Sequence, residues 1–179
     1  MNFIILPTER LLLREMTPQV YDHVFNTYTD DELKFFYGLK TDEDLLQKKT
    51  TYKNGLTMFN KSFLYFQLLK KDTNENVGWC GYHTYYTQHA RAELGYVLTA
   101  ENEREKGLMK EALPQIIRYG FEKMNLHRIE AFVGPNNVPS LKLIEHIGFR
   151  KEGHLKEHYF KNGVAEDSIL FGLLKAEYK

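Results

Sequence analysis

One segment, Arg104–Ala112, constrains the fold of this chain more than any other. It reads R-E-K-G-L-M-K-E-A, a charged turn that contains one glycine. The β-like run Ala92–Leu98 precedes it, and an amphipathic helical pattern, Met109–Met124, follows it. A strand, a turn and a helix in this order direct backbone N–H groups and the positive end of a helix dipole to one place, which suits a phosphate group. Because many such joints bind nothing, the rest of the chain must decide between the two interpretations.

Composition limits the classes of protein to which this chain can belong. Its 179 residues suit one domain, 1–179, and 42% of them are hydrophobic, which is typical of a globular protein. Lys and Arg number 24, as do Asp and Glu, so the basic excess of a nucleic-acid binder is missing. Cys80 is the single cysteine, which rules out an intramolecular disulfide and a cysteine zinc cluster. The start, Met1–Pro7, lacks a signal-peptide pattern and no apolar run reaches membrane-spanning length, so we expect a soluble cytoplasmic protein without nucleic-acid or membrane partners.

The apolar pattern predicts that the first half of the chain begins with one strand and continues with helices and a meander. Pro7 breaks the first strand, and Thr17, Thr29 and Thr41 each precede a helical pattern as a cap. Strands joined by short turns indicate an antiparallel meander. The predicted strands of this half are Phe3–Leu6 with Arg10–Arg14, Ser62–Lys70, Val77–Tyr86 and Ala92–Leu98.

The second half predicts two more helices and three more strands. Pro114 lies inside the helix Met109–Met124 and should bend it locally, because proline lacks the N–H of a helical hydrogen bond. Asn137 can cap the last helix, which Gly148 ends. The predicted strands of this half are His127–Val133, Phe149–Leu155 and Glu166–Leu174, and the whole chain therefore reads as one mixed α/β domain around a mostly antiparallel sheet.

Four stretches together resemble the GNAT acyltransferases and follow the order of that family. They read T-E-R-L-L-L-R-E-M at Thr8–Met16, A-E-L-G-Y-V-L at Ala92–Leu98, R-E-K-G-L-M-K-E-A at Arg104–Ala112, and N-V-P-S-L-K-L-I-E-H-I-G-F at Asn137–Phe149. The resemblance covers nearly the whole chain. It is strongest to the branch that includes the ribosomal-protein alanine N-acetyltransferases, the RimJ/RimL type.

The resemblance implies a fold, a cofactor and a reaction. The fold would be α+β, with a mixed sheet of about seven mostly antiparallel strands, flanked by helices and splayed open between strands four and five. The co-substrate would be acetyl-CoA, with its pyrophosphate on the charged turn and its pantetheine arm in the gap, and no metal is implied. The acetyl group would pass directly to a primary amine in a ternary complex, and that amine would belong to a protein N-terminus or to a polyamine, amino acid or aminoglycoside. A homodimer is common in this branch.

The same resemblance assigns residues to the cofactor, and three positions depart from the family pattern. Met109 replaces a small residue of the turn, Ile144 replaces a tyrosine that protonates the leaving thiolate, and Phe132 replaces a glutamate base. An amide of Val97 or Leu98 would serve as the oxyanion donor. The cofactor-binding residues implied are Val97, Leu98, Thr99, Arg104, Glu105, Lys106, Gly107, Leu108, Met109, Asn137 and Ser140.

Three residues are candidates for catalysis, and each has a simpler alternative. Glu93, on the strand that leads to the acetyl group, would be the general base, or else a solvated carboxylate that orients the amine. Ser140, which matches a serine thought to act as the acid in this branch, would protonate the thiolate, or else be an ordinary first-turn residue. Tyr159 and its neighbour His158 are alternatives for handling protons near the last turn.

Other polar residues have weaker claims. Cys80 is more simply a core thiol than a nucleophile. His154 and His158 lie in a predicted strand, so we expect no metal site there. His83 and Tyr85 could line the acceptor pocket or face solvent. The acceptor itself would be set by residues 18–58 and by the last hairpin, although the acidic runs of the early helices are explained most simply as helix starts.

Two other functions remain open on the sequence alone. The departures at Met109, Ile144 and Phe132 would also fit a non-catalytic module of the same fold that binds or senses acyl-CoA. The charged turn would also fit an unrelated α/β domain that binds a different phosphate ligand.

Overall fold

The computed structural model describes residues 1–55 and 61–178, and one sheet of eight strands organises them. The strand order across the sheet is β1-β2-β3-β4-β5-β6-β8-β7. The strands are β1 Ile5–Pro7, β2 Leu11–Met16, β3 Ser62–Lys70, β4 Asn76–Tyr86, β5 Arg91–Leu98, β6 Arg128–Val133, β7 Arg150–Lys161 and β8 Val164–Leu174. The helices are α1 Pro18–Thr27, α2 Asp30–Tyr37, α3 Asp42–Lys53, α4 Leu108–Glu122 and α5 Val138–His146. In these residues, no helix is both long enough and apolar enough to cross a bilayer.

The predicted architecture is confirmed, with corrections at the two ends of the chain. The first predicted strand is two strands, β1 and β2, which pair with each other as an antiparallel hairpin and raise the count from seven to eight. The last two strands are longer than predicted. β7 continues past Leu155, where its prediction ended, through a register shift at which Glu157 adopts a positive φ of 49°, so the strand passes through a bulge.

Side-chain caps begin four of the five helices, as the sequence predicts. The Thr17, Thr29 and Thr41 hydroxyls accept hydrogen bonds from first-turn amides, and the Asn137 side chain does the same for α5. α4 differs, because Gly107 stands at its N-terminus in the left-handed conformation and gives it no side-chain cap. α4 is one continuous helix through Pro114, so the predicted bend there stays a prediction.

Two separate cores cover the two faces of the sheet. On the first, here called the aliphatic face, α4 and α5 pack against strands in a cluster that includes Leu113, Ile116 and Ile144. On the second, here called the aromatic face, α1–α3 pack around Tyr21, Phe36, Tyr37 and Phe63. Because side chains alternate along a strand, neighbouring residues of one strand serve opposite faces.

The sheet opens between β5 and β6, which is the splay expected between the fourth and fifth predicted strands. These parallel strands pair only from Arg91 to Glu93, opposite Arg128 to Glu130. Ion pairs close the paired end: Arg91 Nη1 lies 2.6 Å from Glu130 Oε2, and Arg128 Nε lies 2.9 Å from Glu130 Oε1. Beyond Glu93 the two strands separate.

Candidate active site

A cavity of about 320 Å³ occupies the split between β5 and β6. It brings together the three residues that the sequence nominated for catalysis, although they lie on β5, α5 and β7. Its walls are Trp79, His83, Glu93, Leu94, Gly95, Tyr96, Ala131, Phe132, Val133, Gly134, Asn137, Ser140 and Tyr159.

Glu93 lies where the two strands part, and its carboxylate is largely enclosed. It is the last β5 residue paired with β6, and its side chain is 15% exposed. The Tyr159 hydroxyl donates a hydrogen bond to Glu93 Oε1 at 3.4 Å, and His83 Nε2 lies 3.3 Å from the same oxygen. Because Ala92 and Leu94 serve the aliphatic core, Glu93 projects to the aromatic face. Tyr159 and His83 therefore both hold the Glu93 carboxylate in a position from which it can accept a proton.

The approach of His83 to this carboxylate depends on Gly95. A Cβ atom at position 95 would lie 2.4 Å from His83 Cδ2 and 2.8 Å from Nε2, distances that no real side chain keeps. Glycine therefore leaves the space in which the imidazole lies against β5 beside Glu93.

Tyr159 is held as a proton donor. Burial and the neighbouring Glu93 carboxylate raise the pKa of Tyr159 to about 12. Its hydroxyl is therefore protonated at neutral pH. It can orient Glu93, and it cannot serve as a base there.

On the aliphatic face, Ser140 lies at the positive end of α5. Its backbone N–H donates to Asn137 Oδ1 at 3.2 Å, so Asn137 is the helix cap that the sequence predicts. Nearby, the Tyr96 hydroxyl is buried beside the Ser140 side chain; burial raises the pKa of Tyr96, and a hydrogen bond with Ser140 opposes that rise. Both residues line the split cavity, so their hydroxyls offer a ligand polar contacts there.

Arg10 holds the charged turn in place, and the first backbone amides of α4, which follow the turn, are left without a side-chain cap. Arg10 donates through Nη1 to the Lys106 carbonyl at 2.9 Å and through Nε to Glu111 Oε2 at 2.7 Å. Glu105 and Gly107 both have positive φ, 62° and 77°. Since Gly107 cannot cap α4, the first amides of that helix have no side-chain acceptor. The side chain of Arg104 is 57% exposed.

The positions that depart from the family pattern are accommodated differently. Met109 is 8% exposed and belongs to the aliphatic core, so its side chain does not cover the turn. Ile144 is fully buried in the same core and offers no proton. Phe132 lines the split cavity, with its ring 4.7 Å from that of His158.

The other nominated residues occupy varied places. Val97 and Leu98 pair with Trp79 and Gly78 of β4 and do not line the split cavity, whereas Thr99 lines a second, larger cavity on the aromatic face. Leu108 is buried in the aliphatic core.

The residues with weaker claims are mostly structural. Cys80 is buried, which raises the pKa of its thiol, and Tyr85 packs against the aliphatic core without lining either cavity. His154 Nε2 lies 2.7 Å from Asp167 Oδ2. Within residues 1–55 and 61–178, no three His, Cys, Asp or Glu side chains are grouped as metal ligands. Of the stretch 18–58 expected to set the acceptor, residues 56–58 lie outside the described part.

Sequence reasoning missed the partnership of His83 with Glu93, and the roles of Trp79 and Tyr96. A signal for the first was present, because β4 reads W-C-G-Y-H and β5 reads E-L-G-Y, so each of these two paired segments carries one residue, His83 or Glu93, that can be charged near neutral pH in an otherwise uncharged run. Tyr96 gave no such signal, since its burial depends on α5 packing beside it.

Comparison with known proteins agrees with this geometry. Residues 10–150 match the model of the acetyltransferase (GNAT) domain. An uncharacterized N-acetyltransferase, p20, from Bacillus licheniformis is 36% identical over 97% of this chain and 97% of its own length. The [ribosomal protein uS5]-alanine N-acetyltransferase of Escherichia coli is 29% identical, over 97% of this chain and 92% of its own.

A solved structure shares the fold. The acetyltransferase (GNAT family) from Bacillus anthracis superposes with a TM-score of 0.67 at 28% identity, and the match covers 97% of this chain and all of that one. The family match, the split sheet and the residues gathered in the split agree, and the chain belongs to the GNAT family of acetyltransferases.

Proposed function

We propose that this protein transfers the acetyl group of acetyl-CoA to a primary amine at the split between β5 and β6. The observation that carries the proposal is the position of Glu93. Its carboxylate is enclosed at the point where the strands part, between His83 and Tyr159, on the face opposite to α4 and α5. An amine can therefore approach from the aromatic face while a thioester enters the split from the aliphatic face.

The residues of the split and turn suit acetyl-CoA. The uncapped amides at the start of α4 and the dipole of that helix suit a pyrophosphate, which the turn Arg104–Gly107 would cradle. The Tyr96 hydroxyl and the polar side chains of Asn137 and Ser140 line the gap that the pantetheine arm would fill. When bound, acetyl-CoA would supply an activated thioester carbonyl.

The chain's own groups would move the protons. Glu93 would take a proton from the ammonium form of the acceptor, directly or through water, with His83 and Tyr159 holding its carboxylate. The amine nitrogen then bonds to the acetyl carbon as the C–S bond breaks. The oxyanion donor expected from Val97 or Leu98 stays a prediction, because neither residue lines the split cavity. Ser140, at the positive end of α5, would give the sulfur its proton.

The acceptor proposed first is the N-terminal amine of a protein, with a small-molecule amine as the alternative. The likeness to the uS5-alanine N-acetyltransferase over nearly the full length of both chains supports this order. The proposal includes a cytoplasmic location, where acetyl-CoA and newly made proteins are both present. A homodimer, as is common in this branch, stays a prediction.

A non-catalytic acyl-CoA-binding role is the second candidate, because Ile144 removes the tyrosine acid of the family. The test is an acceptor screen with mass detection of the product, combined with calorimetry of acetyl-CoA binding. The proposal expects acetyl-CoA to bind and at least one amine to gain 42 Da, which is about the mass of an added acetyl group. Tight binding without acetylation of any amine, ribosomal-protein N-terminal peptides included, would favour the binding role. No binding at millimolar CoA would exclude both.

A further inference from the structure

A second cavity, of about 950 Å³, lies on the aromatic face beside the split. Trp79 and His83 line both cavities, so the two spaces meet at the residue that contacts Glu93. An amine placed at Glu93 would therefore leave the rest of its molecule in this larger space. The chemistry of its walls bears on which acceptors can bind.

Lys48 of α3 lines this cavity and has no carboxylate partner among the described residues. Its Nζ donates to the Tyr21 hydroxyl at 3.1 Å and lies 4.8 Å from the centre of the Tyr37 ring. Residues 56–60, which the structure does not describe, read L-T-M-F-N and contain no acidic side chain. The surrounding aromatic rings lower the pKa of Lys48 by burial. A partly buried ammonium without a counter-ion is costly unless a ligand supplies one.

One more donor is available at the same place. The Tyr37 hydroxyl is buried without a hydrogen-bond partner among the described residues. Tyr21 accepts from Lys48 and is itself hydrogen-bonded to Tyr65, so it positions the ammonium and is not a free donor. Burial raises the pKa of Tyr37, so its hydroxyl stays protonated. An ammonium and a hydroxyl hydrogen around one space are a receptor for a carboxylate.

The carboxylates of the cavity wall form no ion pair with Lys48 among the described residues. Asp44 accepts from the backbone and hydroxyl of Thr41 in the cap of α3, and Glu75 is exposed. Lys34 and Lys40 also line the cavity, but Lys34 pairs with Asp42 and Lys40 is exposed to solvent. Lys48 is the lysine of this wall that is partly buried and has no carboxylate partner among the described residues.

Building on the proposed function, we infer that the preferred acceptor is a primary amine that also carries a carboxylate, which Lys48 and Tyr37 bind. The carboxylate could belong to an acidic side chain near a peptide N-terminus or to a free amino acid. A polyamine would instead place a second cation beside Lys48 and be disfavoured by repulsion.

The test compares acceptors that differ only in this charge. One arm uses peptides with a free N-terminal alanine and Glu or Gln at position 2 or 3. A second arm uses free amino acids and their amides, and spermidine serves as a cationic acceptor. The value of kcat/KM is measured for wild type, Lys48→Met, Lys48→Arg and the control Lys49→Met, whose native ammonium pairs with Asp30 outside the cavity.

Wild type should favour the carboxylate member of at least one matched pair by about tenfold, a typical effect for one charge-assisted hydrogen bond. Lys48→Met should bring that ratio to about one, whereas Lys48→Arg and Lys49→Met should keep most of it. Ratios near one for every pair in wild type, or a ratio that Lys48→Met leaves intact, would overturn the inference and leave acetyl transfer standing. Absence of turnover with every amine would instead overturn the proposed function. The ratio of kcat/KM between the members of each matched pair is measured on the wild-type protein. It therefore tests the preference for a carboxylate even if a Lys48 variant fails to fold.

Discussion

The two faces of the sheet are built in different ways. The aliphatic face takes its site from short, contiguous segments, the turn Arg104–Gly107 and the start of α5 at Asn137–Ser140. The aromatic face assembles its site from distant parts of the chain: Tyr159 reaches Glu93 across 66 positions, and Lys48 reaches Tyr21 across 27. The site of the aliphatic face can therefore be recognised as a sequence motif. The site of the aromatic face depends on how whole helices and strands pack.

This difference suits a division of labour. We propose that the aliphatic face holds acetyl-CoA, which is the same co-substrate in every relative, and that the aromatic face holds an acceptor that differs between relatives. Backbone amides and a left-handed glycine serve the first task with little dependence on side chains. Tyrosines, a lysine and a histidine serve the second, because selectivity among amines requires particular side chains.

Replacing Gly95 should disturb the aromatic side of the split most. In Gly95→Ala the new Cβ would lie 2.4 Å from His83, so the imidazole must leave its place beside Glu93. We expect kcat to fall about 100-fold, a typical loss when catalytic groups are displaced by an ångström. Calorimetry should show acetyl-CoA affinity within about twofold of wild type, if the two faces act separately.

Gly153→Ala is the matched control for this substitution, because a Cβ there meets nothing within 4 Å. It should leave kcat unchanged. A Gly95→Ala enzyme with normal kcat would show that His83 has no part in the reaction.

Replacing Gly107 should disturb the aliphatic side of the split, with a smaller effect on activity than replacing Gly95. Gly107→Ala puts a Cβ on a residue with φ of 77°, which costs about 1 to 2 kcal/mol unless the turn relaxes. Relaxation would rotate the first amides of α4, so we expect the KM for acetyl-CoA to rise about tenfold with kcat nearly unchanged.

Gly163→Ala tests whether strain alone explains that result. Gly163 has a φ of 78°, close to that of Gly107, and a Cβ there meets nothing within 4 Å. It lies at the tip of the β7–β8 hairpin and not in the charged turn. It should lower thermal stability without changing the KM for acetyl-CoA. Equal KM values in the two variants would remove the turn from the cofactor site.

The same contrast explains how much could be predicted from sequence. Helix caps at Thr17, Thr29, Thr41 and Asn137, and the strands of the meander, follow from residues that are neighbours in the chain, and the structure confirms them. The first hairpin was predicted as one strand interrupted at Pro7. In the structure Pro7 is the last residue of β1, and the chain turns back there to pair as β2.

The unpredicted parts all depend on tertiary packing. The predicted strand ended at Leu155, yet the Glu157 amide donates to Asp167 and β7 continues to Lys161. The pairing of His83 with Glu93 required the register of β4 against β5 and the space above Gly95. No sequence pattern singles out Lys48 of α3, because α1 and α2 bring Tyr21 and Tyr37 to it only in the folded structure.

The measurement that tests the central claim most directly is the effect of Glu93→Gln on turnover and on acetyl-CoA affinity in the same preparation. Glu122→Gln, on the exposed end of α4, is the control. If Glu93 is the base on the acceptor side of the split, kcat at neutral pH should fall at least about 100-fold, while the dissociation constant for acetyl-CoA changes by less than about twofold. Equal losses of turnover and affinity would contradict this account and make Glu93 a structural residue of the split.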